Sequence, residues 1–321
     1  MQQRSLGRSG LQVSAIGLGC NNFGGRIGLE EARAVVHAAL DAGITLFDTA
    51  DVYGALGIGS ASSHKGASEE ILGTILGPKR QQVVIATKFA MPMDESGQRV
   101  GASRRYIMAA VEDSLRRLKT DWIDLYQQHT TDPRTPIEET VRALDDLIRA
   151  GKVRYVGCSN FAAWQVADAV WSARDLGANA FVACQDELSL LVRKADAELI
   201  PAMERFGLGL LPYFPLASGL LTGKYQRNAV MPEGARLTNT QRLADRYLTD
   251  RHWPIVERLT DFATERGHTL IELAFSWLLS RSVTASVIAG ATRVEQVQQN
   301  AAAGVWALTP EDLAAVDAIT G

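Results

Sequence analysis

Short apolar runs alternate with longer amphipathic segments along most of the chain. Eight of these runs are predicted strands, and they span residues 14–19, 44–50, 82–89, 121–129, 152–160, 180–188, 208–216 and 284–290. In the segment after the first run, Ala34, Val35, Ala38, Ala39 and Ala42 recur at helical spacing. Strands that alternate with helices pair in parallel, and eight such units predict an α/β fold, the (β/α)8 TIM barrel.

Three segments lie outside this repeat. Residues 4–13 predict an N-terminal β-hairpin with a glycine-containing turn, placed to close the barrel floor. Residues 219–251 are too long for a plain loop after the seventh strand, which indicates a functional insertion. Residues 309–320 begin with Thr-Pro-Glu-Asp and predict an extra C-terminal helix. No linker or low-complexity segment interrupts the chain, so we expect a single domain over residues 1–321.

Composition and charge narrow the classes of function. Hydrophobic residues make up 46% and charged residues 21%, as in an ordinary globular protein. The net charge of −3 argues against a nucleic-acid partner, because a phosphate backbone selects basic surfaces. No window has the ~20 apolar residues of a membrane helix, and the N-terminus lacks the apolar segment of a signal peptide. We therefore expect no membrane partner and a cytoplasmic location.

The three cysteines, Cys20, Cys158 and Cys184, are far apart, and no CxxC pair occurs. An odd number of distant cysteines predicts buried reduced thiols, neither a disulfide framework nor a zinc site.

Polar and titratable residues follow the predicted strands at their carboxyl ends. In a TIM barrel the loops at these ends form the active site. The residues in question are Asp48, Tyr53, Lys88, His129, Ser159, Asn160, Gln185, Tyr213, Gly290, Thr292 and Arg293. We expect them to converge at one rim of the barrel.

Lys88 and Asp48 suggest proton-transfer chemistry. If both point inward, each needs the other, because an unpaired buried charge is very costly. An ammonium beside Tyr53 would lower the pKa of the tyrosine below its usual ~10. Such a phenol could donate its proton to a carbonyl oxygen while a hydride adds to the carbonyl carbon. His129 would orient that carbonyl. The plainer alternatives are a lysine that extends to solvent, a carboxylate that caps a turn and a structural histidine. Asp51 is expected to be a solvated or turn-forming loop carboxylate.

A dinucleotide site is predicted at the barrel mouth, without a Rossmann domain. The nearest glycine motif, GIGSAS at residues 57–62, lacks the third glycine and lies well after its strand. Ser159, Asn160 and Gln185 could instead hold a carboxamide, and the Tyr213 ring could stack on a flat heterocycle. Residues 290–293 offer backbone N–H groups, a hydroxyl and a guanidinium to a phosphate.

Seven motifs resemble those of the aldo-keto reductase superfamily, in its order and spacing. They are FDTADVYG, ATKF, DLYQQH, GCSNF, the late-strand Gln185, YFPLASGLLTGKY and IAGATRVEQVQQN. The chain is most similar in style to bacterial reductases related to potassium-channel β subunits. The resemblance implies reduction of an aldehyde or ketone by NADP(H), with Tyr53 as the general acid, Lys88 and Asp48 as its tuning pair and His129 as the orienting group.

The same resemblance implies an extended cofactor site across the barrel top. The residues near the nicotinamide would be Ser159, Asn160, Gln185 and Tyr213. The loop around the pyrophosphate would comprise Phe214, Pro215, Leu216, Ser218, Gly219, Leu220 and Lys224. The adenosine 2′-phosphate end would lie at Gly290, Thr292, Arg293, Gln296 and Asn300. The hydroxyl and guanidinium in this last set favour NADPH over NADH.

The implied substrate pocket contains Asn21, Phe23 and Phe89. Residues 20–23 depart from the family's usual pocket lining, and Asn21 with Asn22 suggests a hydroxylated substrate such as a small sugar aldehyde. A second departure is the long Gly/Ser-rich loop at residues 55–67. We interpret it as a lid over the substrate mouth; the alternative is a disordered surface insertion. Deleting residues 57–66 should then change the substrate KM far more than the cofactor Kd; equal changes would contradict the lid.

Two other functions compete with a carbonyl reductase. One is a redox-sensing module, like a channel β subunit, that binds NADPH and turns over slowly or not at all. The other is a metal-dependent barrel hydrolase that uses Asp48 and His129. Five histidines with no HxH or HExxH spacing support metal ligation poorly, and we expect no metal. No pattern in the sequence fixes an oligomeric state, a preferred direction or one carbonyl substrate.

Overall fold

Residues 1–54 and 64–321 are described by a computed structural model. In these ranges the strands are β1 (Gln3–Ser5), β2 (Gln12–Ser14), β3 (Ile16–Gly19), β4 (Leu46–Asp48), β5 (Val84–Phe89), β6 (Ile123–Gln128), β7 (Val153–Ser159), β8 (Ala183–Glu187), β9 (Gly209–Tyr213) and β10 (Val287–Gly290). The proposed lid at residues 55–67 and the GIGSAS motif lie wholly or mostly outside the described residues.

The α-helices of the described ranges follow the strands. They are α1 (Leu29–Asp41), α2 (Ala67–Leu76), α3 (Arg104–Leu118), α4 (Ile137–Arg149), α5 (Ala163–Asp175), α6 (Leu199–Phe206), α7 (Arg236–Asn239), α8 (Gln241–Tyr247), α9 (His252–Glu265), α10 (Leu270–Leu279), α11 (Val294–Ala303) and α12 (Pro310–Thr320). Short 3₁₀ segments span Gly77–Gln82, Lys194–Asp196 and Ala217–Thr222.

Strands β3 to β10 form one parallel sheet that curves into a barrel. The spatial order is β10-β3-β4-β5-β6-β7-β8-β9, so every pairing but one joins neighbours in the chain. The sheet closes through a parallel bridge between Leu210 and Thr284, where Ala285 N donates to Leu210 O at 2.9 Å. The predicted (β/α)8 TIM barrel is therefore confirmed.

The N-terminal hairpin of β1 and β2 covers the barrel floor, as the sequence predicts. Leu6 and Val13 are fully buried and pack with the apolar side chains inside the barrel. The turn approaches the start of β9 so closely that a Cβ on Gly7 would lie 2.5 Å from Gly207 O. Only glycine fits there, and its φ of +58° adds a second reason.

Inward-facing side chains of the strands form two layers inside the barrel. The lower layer is apolar and contains Leu46, Ala86, Leu125, Ala183 and Leu211. Side chains alternate between the two faces of a strand, so the residue two positions further on points the same way. That rule places a polar layer on top of the apolar one: Asp48, Lys88, Gln127, Gln185 and Tyr213. The barrel thus carries its functional groups on a packed hydrophobic base.

The sequence pattern did not predict helix α10, nor the short helices α7 and α8 of the insertion. Helix α10 lies between α9 and β10, and its side chains from Leu273 to Leu279 are all buried. A helix buried on every side has no polar face, so its sequence lacks helical periodicity. Its start is nevertheless well marked by a capping box, in which Glu272 N donates to Thr269 Oγ1 at 3.2 Å and Thr269 N donates to Glu272 Oε2 at 2.7 Å.

The other extra segments match expectation. Helix α12 begins after Thr309, whose hydroxyl accepts from Asp312 N at 3.1 Å. The insertion after β9 contains α7 and α8. Within the described part of the chain, no helix is long and apolar enough to cross a membrane.

Candidate active site

A buried ion pair forms the centre of the polar layer. Lys88 Nζ lies 2.7 Å from Asp48 Oδ2, and both residues are at most 2% exposed. The other carboxylate oxygen, Oδ1, accepts from Gln185 Nε2 at 2.8 Å and from Gln127 Nε2 at 3.5 Å. Asp48 is therefore held from three strands at once. The expected inward pairing of Lys88 and Asp48 is present, and the plainer alternatives of a solvated lysine and a turn cap are wrong.

Lys88 also connects the strands to the loop that carries Tyr53. Its ammonium donates to Thr49 O at 2.8 Å and lies 3.5 Å from Tyr53 Oη. Burial alone would lower the pKa of Lys88, but the Asp48 carboxylate and the Tyr53 oxygen outweigh it and raise that pKa. Lys88 therefore stays a cation, directed at the phenol oxygen.

The expected direction of the Tyr53 pKa shift is corrected. Burial raises the pKa of the Tyr53 phenol, the Lys88 ammonium lowers it, Asp48 raises it again, and the net shift is upward. The sequence indicated that the Lys88 ammonium would lower this pKa, but it does not show how strongly burial of the phenol raises it. A raised pKa keeps Tyr53 protonated at neutral pH, which is the form a proton donor must have.

His129 lies beside Tyr53 at the end of β6. The two rings meet edge to face, with centroids 5.7 Å apart. Burial lowers the pKa of His129 to about 3, and the Lys88 charge acts in the same direction. The imidazole is therefore neutral at physiological pH, and its Nδ1 is buried with no hydrogen-bond partner among the described residues. A neutral imidazole can offer one N–H to a carbonyl oxygen.

Four residues predicted at the nicotinamide end form a connected network. Tyr213 Oη donates to Asn160 Oδ1 at 2.8 Å, and Asn160 Nδ2 donates to Ser159 Oγ at 3.1 Å and to His129 O at 2.9 Å. Asn160 has a φ of +60°, and its main-chain N–H donates to Gln185 O. The strand ends β7, β8 and β9 thus share one fixed arrangement around a half-buried tyrosine ring.

The loop after β9 has an unusual backbone. Phe214, Ala217, Ser218 and Gly219 all have positive φ, from +46° to +100°. For the three non-glycine residues this conformation carries strain, which persists where the surroundings fix it and is common at ligand sites. Ser218 Oγ is buried and has no partner among the described residues. The loop therefore combines a strained backbone with a buried hydroxyl that no described residue hydrogen-bonds.

Four cations gather beyond this loop. Burial and then the charges of Arg26, Arg293 and Arg236 lower the pKa of Lys224, so the four groups act on one another. None of them forms an ion pair with a carboxylate in the part of the chain that the structure describes. Arg236 donates to Asn22 Oδ1 at 3.3 Å and lies over the Phe214 ring. An uncompensated cluster of this kind suits an anionic ligand.

Lys224 and Arg293 were predicted in this cluster, whereas Arg26 and Arg236 were not. Arg26 lies between β3 and α1, and Arg236 belongs to the insertion, where no sequence motif indicated it.

Thr292, which precedes Arg293, is fixed by Gln296, whose Oε1 accepts from Thr292 N at 2.8 Å and from Thr292 Oγ1 at 3.2 Å. Gly290 is exposed at the end of β10, and Asn300 is buried in α11.

The other residues predicted around the pyrophosphate lie in or next to the loop after β9. Pro215 and Leu220 are buried, Leu216 is half-buried, and Gly219 approaches Lys224.

The three predicted substrate residues differ in position. Asn21 is half-buried, and its Oδ1 lies next to Gly290 at the rim. Phe23 and Phe89 are fully buried in the core. Phe89 packs on Tyr126, and it follows the inward-facing Lys88 by one position, so it points to the helices. Neither side chain is exposed at the barrel mouth, and the assignment of Phe23 and Phe89 to a substrate pocket stays a prediction.

Asp51 corrects part of a prediction. It was expected to be a solvated or turn-forming loop carboxylate; it lies in a turn, but it is 1% exposed and therefore not solvated. The chain turns inward after β4, and Asp51 N donates to Lys88 O at 3.2 Å, so the side chain lies under α2 and α3. Sequence position in a loop gave no sign of this.

The cysteines and possible metal ligands show no second site. Cys20, Cys158 and Cys184 are free and buried, as predicted. Among the described residues, no group of three or more His, Cys, Asp and Glu side chains is arranged to hold a metal ion. Asp48 already accepts from Lys88 and Gln185, which leaves the metal-dependent hydrolase without its carboxylate ligand.

Comparison with known proteins agrees with the motifs and the barrel. The model of the Aldo/keto reductase family matches residues 15–320. The chain belongs to the aldo/keto reductase family.

The similar proteins in the aldo/keto reductase family include potassium-channel subunits and oxidoreductases, according to their names. A probable voltage-gated potassium channel subunit beta from Oryza sativa subsp. japonica is 37% identical over 99% of this chain and 96% of its own length. An uncharacterized oxidoreductase of Bacillus subtilis (strain 168) is 37% identical over 93% of this chain and 89% of its own. An L-glyceraldehyde 3-phosphate reductase of Escherichia coli O157:H7 is 33% identical over 99% of this chain and 92% of its own.

Proposed function

We propose that the protein is an NADP(H)-dependent carbonyl reductase that converts an aldehyde or ketone to an alcohol. The observation that carries the proposal is the buried Lys88–Asp48 pair, at 2.7 Å, directed at the Tyr53 hydroxyl beside a neutral His129. The oxidoreductases and the aldehyde reductase among the relatives support the same reaction class.

The site residues fit an extended dinucleotide. Tyr213 offers a half-buried ring, and Ser159, Asn160 and Gln185 surround it with amides and a hydroxyl. Ser218 Oγ is a buried hydroxyl with no hydrogen-bond partner among the described residues. The cluster of Arg26, Lys224, Arg236 and Arg293 would bind the phosphates, because guanidinium and ammonium groups without carboxylate partners favour such anions.

The reaction then depends on four side chains. Bound NADPH would supply the hydride that adds to the carbonyl carbon. Tyr53 Oη–H gives its proton to the carbonyl oxygen, so that the carbonyl becomes an alcohol and the phenol a phenolate. Lys88 stabilises this phenolate through its ammonium group, and Asp48 keeps the ammonium in place. His129, neutral at working pH, donates a hydrogen bond that orients the carbonyl.

A substrate screen tests the proposed function. The purified chain is mixed with NADPH and, in turn, with small aliphatic, aromatic and sugar aldehydes and with ketones, and loss of NADPH absorbance is followed. We expect turnover with at least one aldehyde. Tight NADPH binding with no turnover across the panel would contradict a reductase and favour the redox-sensing module, an alternative that the channel-subunit relatives suggest.

Arg293 is proposed to distinguish NADPH from NADH. It is exposed at the start of α11, next to Thr292, and forms no ion pair in the described ranges. Loss of one charged contact to a phosphate is expected to weaken binding by about 10- to 100-fold. Arg293→Ala should therefore raise the Kd of NADPH by that factor and leave the Kd of NADH nearly unchanged, as measured by quenching of tryptophan fluorescence.

Two matched variants control this result. Arg258→Ala removes an exposed arginine on α9 and should change neither Kd. Arg236→Ala, near the loop after β9, should weaken both dinucleotides if its guanidinium binds the pyrophosphate they share. Equal losses for NADPH and NADH in Arg293→Ala would show that this residue does not bind the 2′-phosphate.

A further inference from the structure

Asp51 is a buried carboxyl that the proposed reaction leaves unused. It is 1% exposed, and neither of its carboxylate oxygens has a hydrogen-bond partner among the described residues. It lies on the turn that carries Tyr53, whose N–H donates to Ala50 O at 3.1 Å. Asp51 N in turn donates to Lys88 O at 3.2 Å. One turn thus joins this carboxyl to both the proton donor and the lysine.

A second buried carboxylate lies beside it. Glu69, on α2, is fully buried and accepts from Arg117 Nε of α3 at 2.7 Å and from Thr87 Oγ1 of β5 at 2.5 Å. The Arg117 guanidinium is therefore already paired. Lys88, the other cation near Asp51, is paired with Asp48 on the inner face of the barrel.

The remaining groups that face Asp51 are uncharged phenols. Burial, and then the Asp51 charge, raise the pKa of Tyr106 on α3 and of Tyr126 on β6. Both hydroxyls are buried and have no partner within the described residues. The Val52 N–H approaches the Asp51 carboxyl without the geometry of a hydrogen bond. Among the described residues, no element packed around Asp51 supplies a free cation.

This environment determines the charge of Asp51. Arg117 is one cation between two buried carboxyls, so ionisation of both would leave an uncompensated negative charge in a dry site. Burial and the Glu69 carboxylate raise the pKa of Asp51 well above its usual value, more than Arg117, Val52 N–H and Lys88 lower it. A carboxyl in such an environment stays protonated, because an isolated buried charge would be strongly destabilising.

We propose that Asp51 is a positioning residue that acts as an uncharged acid: its neutral side chain keeps the Tyr53 turn packed under α2 and α3, and its ionisation releases that turn. An ionised Asp51 would attract Arg117 away from Glu69 or draw water into the site. Either change moves the backbone that holds Tyr53 near Lys88. The stability test below does not depend on the proposed function; the kinetic test does.

The stability test compares Asp51→Asn with the wild type across pH. Above the unfolded-state pKa of ~3.9, the unfolded chain ionises Asp51 while the folded chain does not, so the folded state loses stability relative to a neutral residue. We expect the Tm of Asp51→Asn to exceed that of the wild type by about 3 °C or more at about pH 8, and the excess to shrink towards about pH 4. Asp41→Asn, an exposed carboxylate at the end of α1, should show no such trend.

The kinetic test uses the pH profile of kcat for aldehyde reduction with NADPH. As the pH rises, the wild-type profile should fall in two steps, a first when Asp51 ionises and a second when Tyr53 does. Asp51→Asn should lack the first step, whatever its effect on the pH-independent kcat, while Asp41→Asn keeps both. A residue with a merely structural role would not remove a titration step.

The outcomes separate the two proposals. If the wild type reduces no aldehyde, the function proposed above fails, and the Tm comparison still decides the state of Asp51. A Tm difference that is constant with pH, or that favours the wild type more as pH rises, overturns the uncharged acid. An unchanged first kinetic step overturns its positioning role. Asp51→Ser, which is smaller and also neutral, repeats both tests if the asparagine variant does not fold.

Discussion

Tyr53→Phe is expected to lower kcat for aldehyde reduction by about 10²- to 10⁴-fold, the usual contribution of a general acid. The substitution removes the hydroxyl that lies 3.5 Å from Lys88 Nζ and keeps the ring that packs against His129. The site therefore loses its proton donor and retains its shape. Steady-state kinetics with the best aldehyde of the screen, at saturating NADPH, measures the effect.

Binding and a matched tyrosine provide the controls. NADPH should still quench the tryptophan fluorescence of Tyr53→Phe with a Kd close to that of the wild type, because the phosphate-binding residues are unchanged. Tyr155→Phe removes a phenol hydroxyl from β7 on the floor side of the barrel and should leave kcat unchanged. If Tyr53→Phe keeps most of its activity, the general acid is another group, and the assignment of Tyr53 is refuted.

The barrel and its central pair could be predicted because they follow from period-two alternation. Once Leu46 and Ala86 face the interior, Asp48 and Lys88 must face it too, since each lies two residues further along its strand. The same argument applied to Leu125 selects Gln127 over its neighbour Gln128. Gln127 is nevertheless absent from the predicted site residues, because the motif DLYQQH alone does not show which of its two glutamines points inward; only the register with Leu125 does.

The features that could not be predicted from the sequence depend on contacts between segments that are distant along the chain. Asp51 looks like an exposed loop residue, and only the packing of α2 and α3 over the turn buries it. Arg236 lies far along the chain from Arg26 and joins its cluster through the path of the insertion. Helix α10 is buried on all sides, so the periodicity that reveals half-exposed helices is absent.

The direction of the Tyr53 pKa shift was missed for a related reason. A sequence shows which charges can be neighbours, but the loss of solvent around a phenol depends on everything packed against it. In this site desolvation exceeds the effect of one ammonium. Lys88 therefore matters less for the resting tyrosine than for the phenolate formed during the reaction, and removing Lys88 should affect catalysis through that phenolate.

Lys88→Met is the second variant with a large expected effect, and it should reduce both activity and stability. Without the ammonium, the phenolate left by proton transfer has no cation beside it, so kcat should fall by about 10²-fold or more. The Asp48 carboxylate, 2% exposed, would keep only amide donors, chiefly Gln185. Loss of one partner of a buried ion pair costs about 3–5 kcal/mol, which should lower the midpoint of urea denaturation clearly.

A double variant separates the two effects of Lys88. Asp48→Asn together with Lys88→Met removes both charges, so no isolated carboxylate remains, and the protein should regain most of its stability. Its kcat should stay as low as that of Lys88→Met, because the phenolate is still unsupported. Recovery of activity along with stability would mean that Lys88 acts only by neutralising Asp48. Failure of the double variant to regain stability would instead mean that the methylene groups and the Thr49 contact of Lys88, and not its charge, hold the strand ends together.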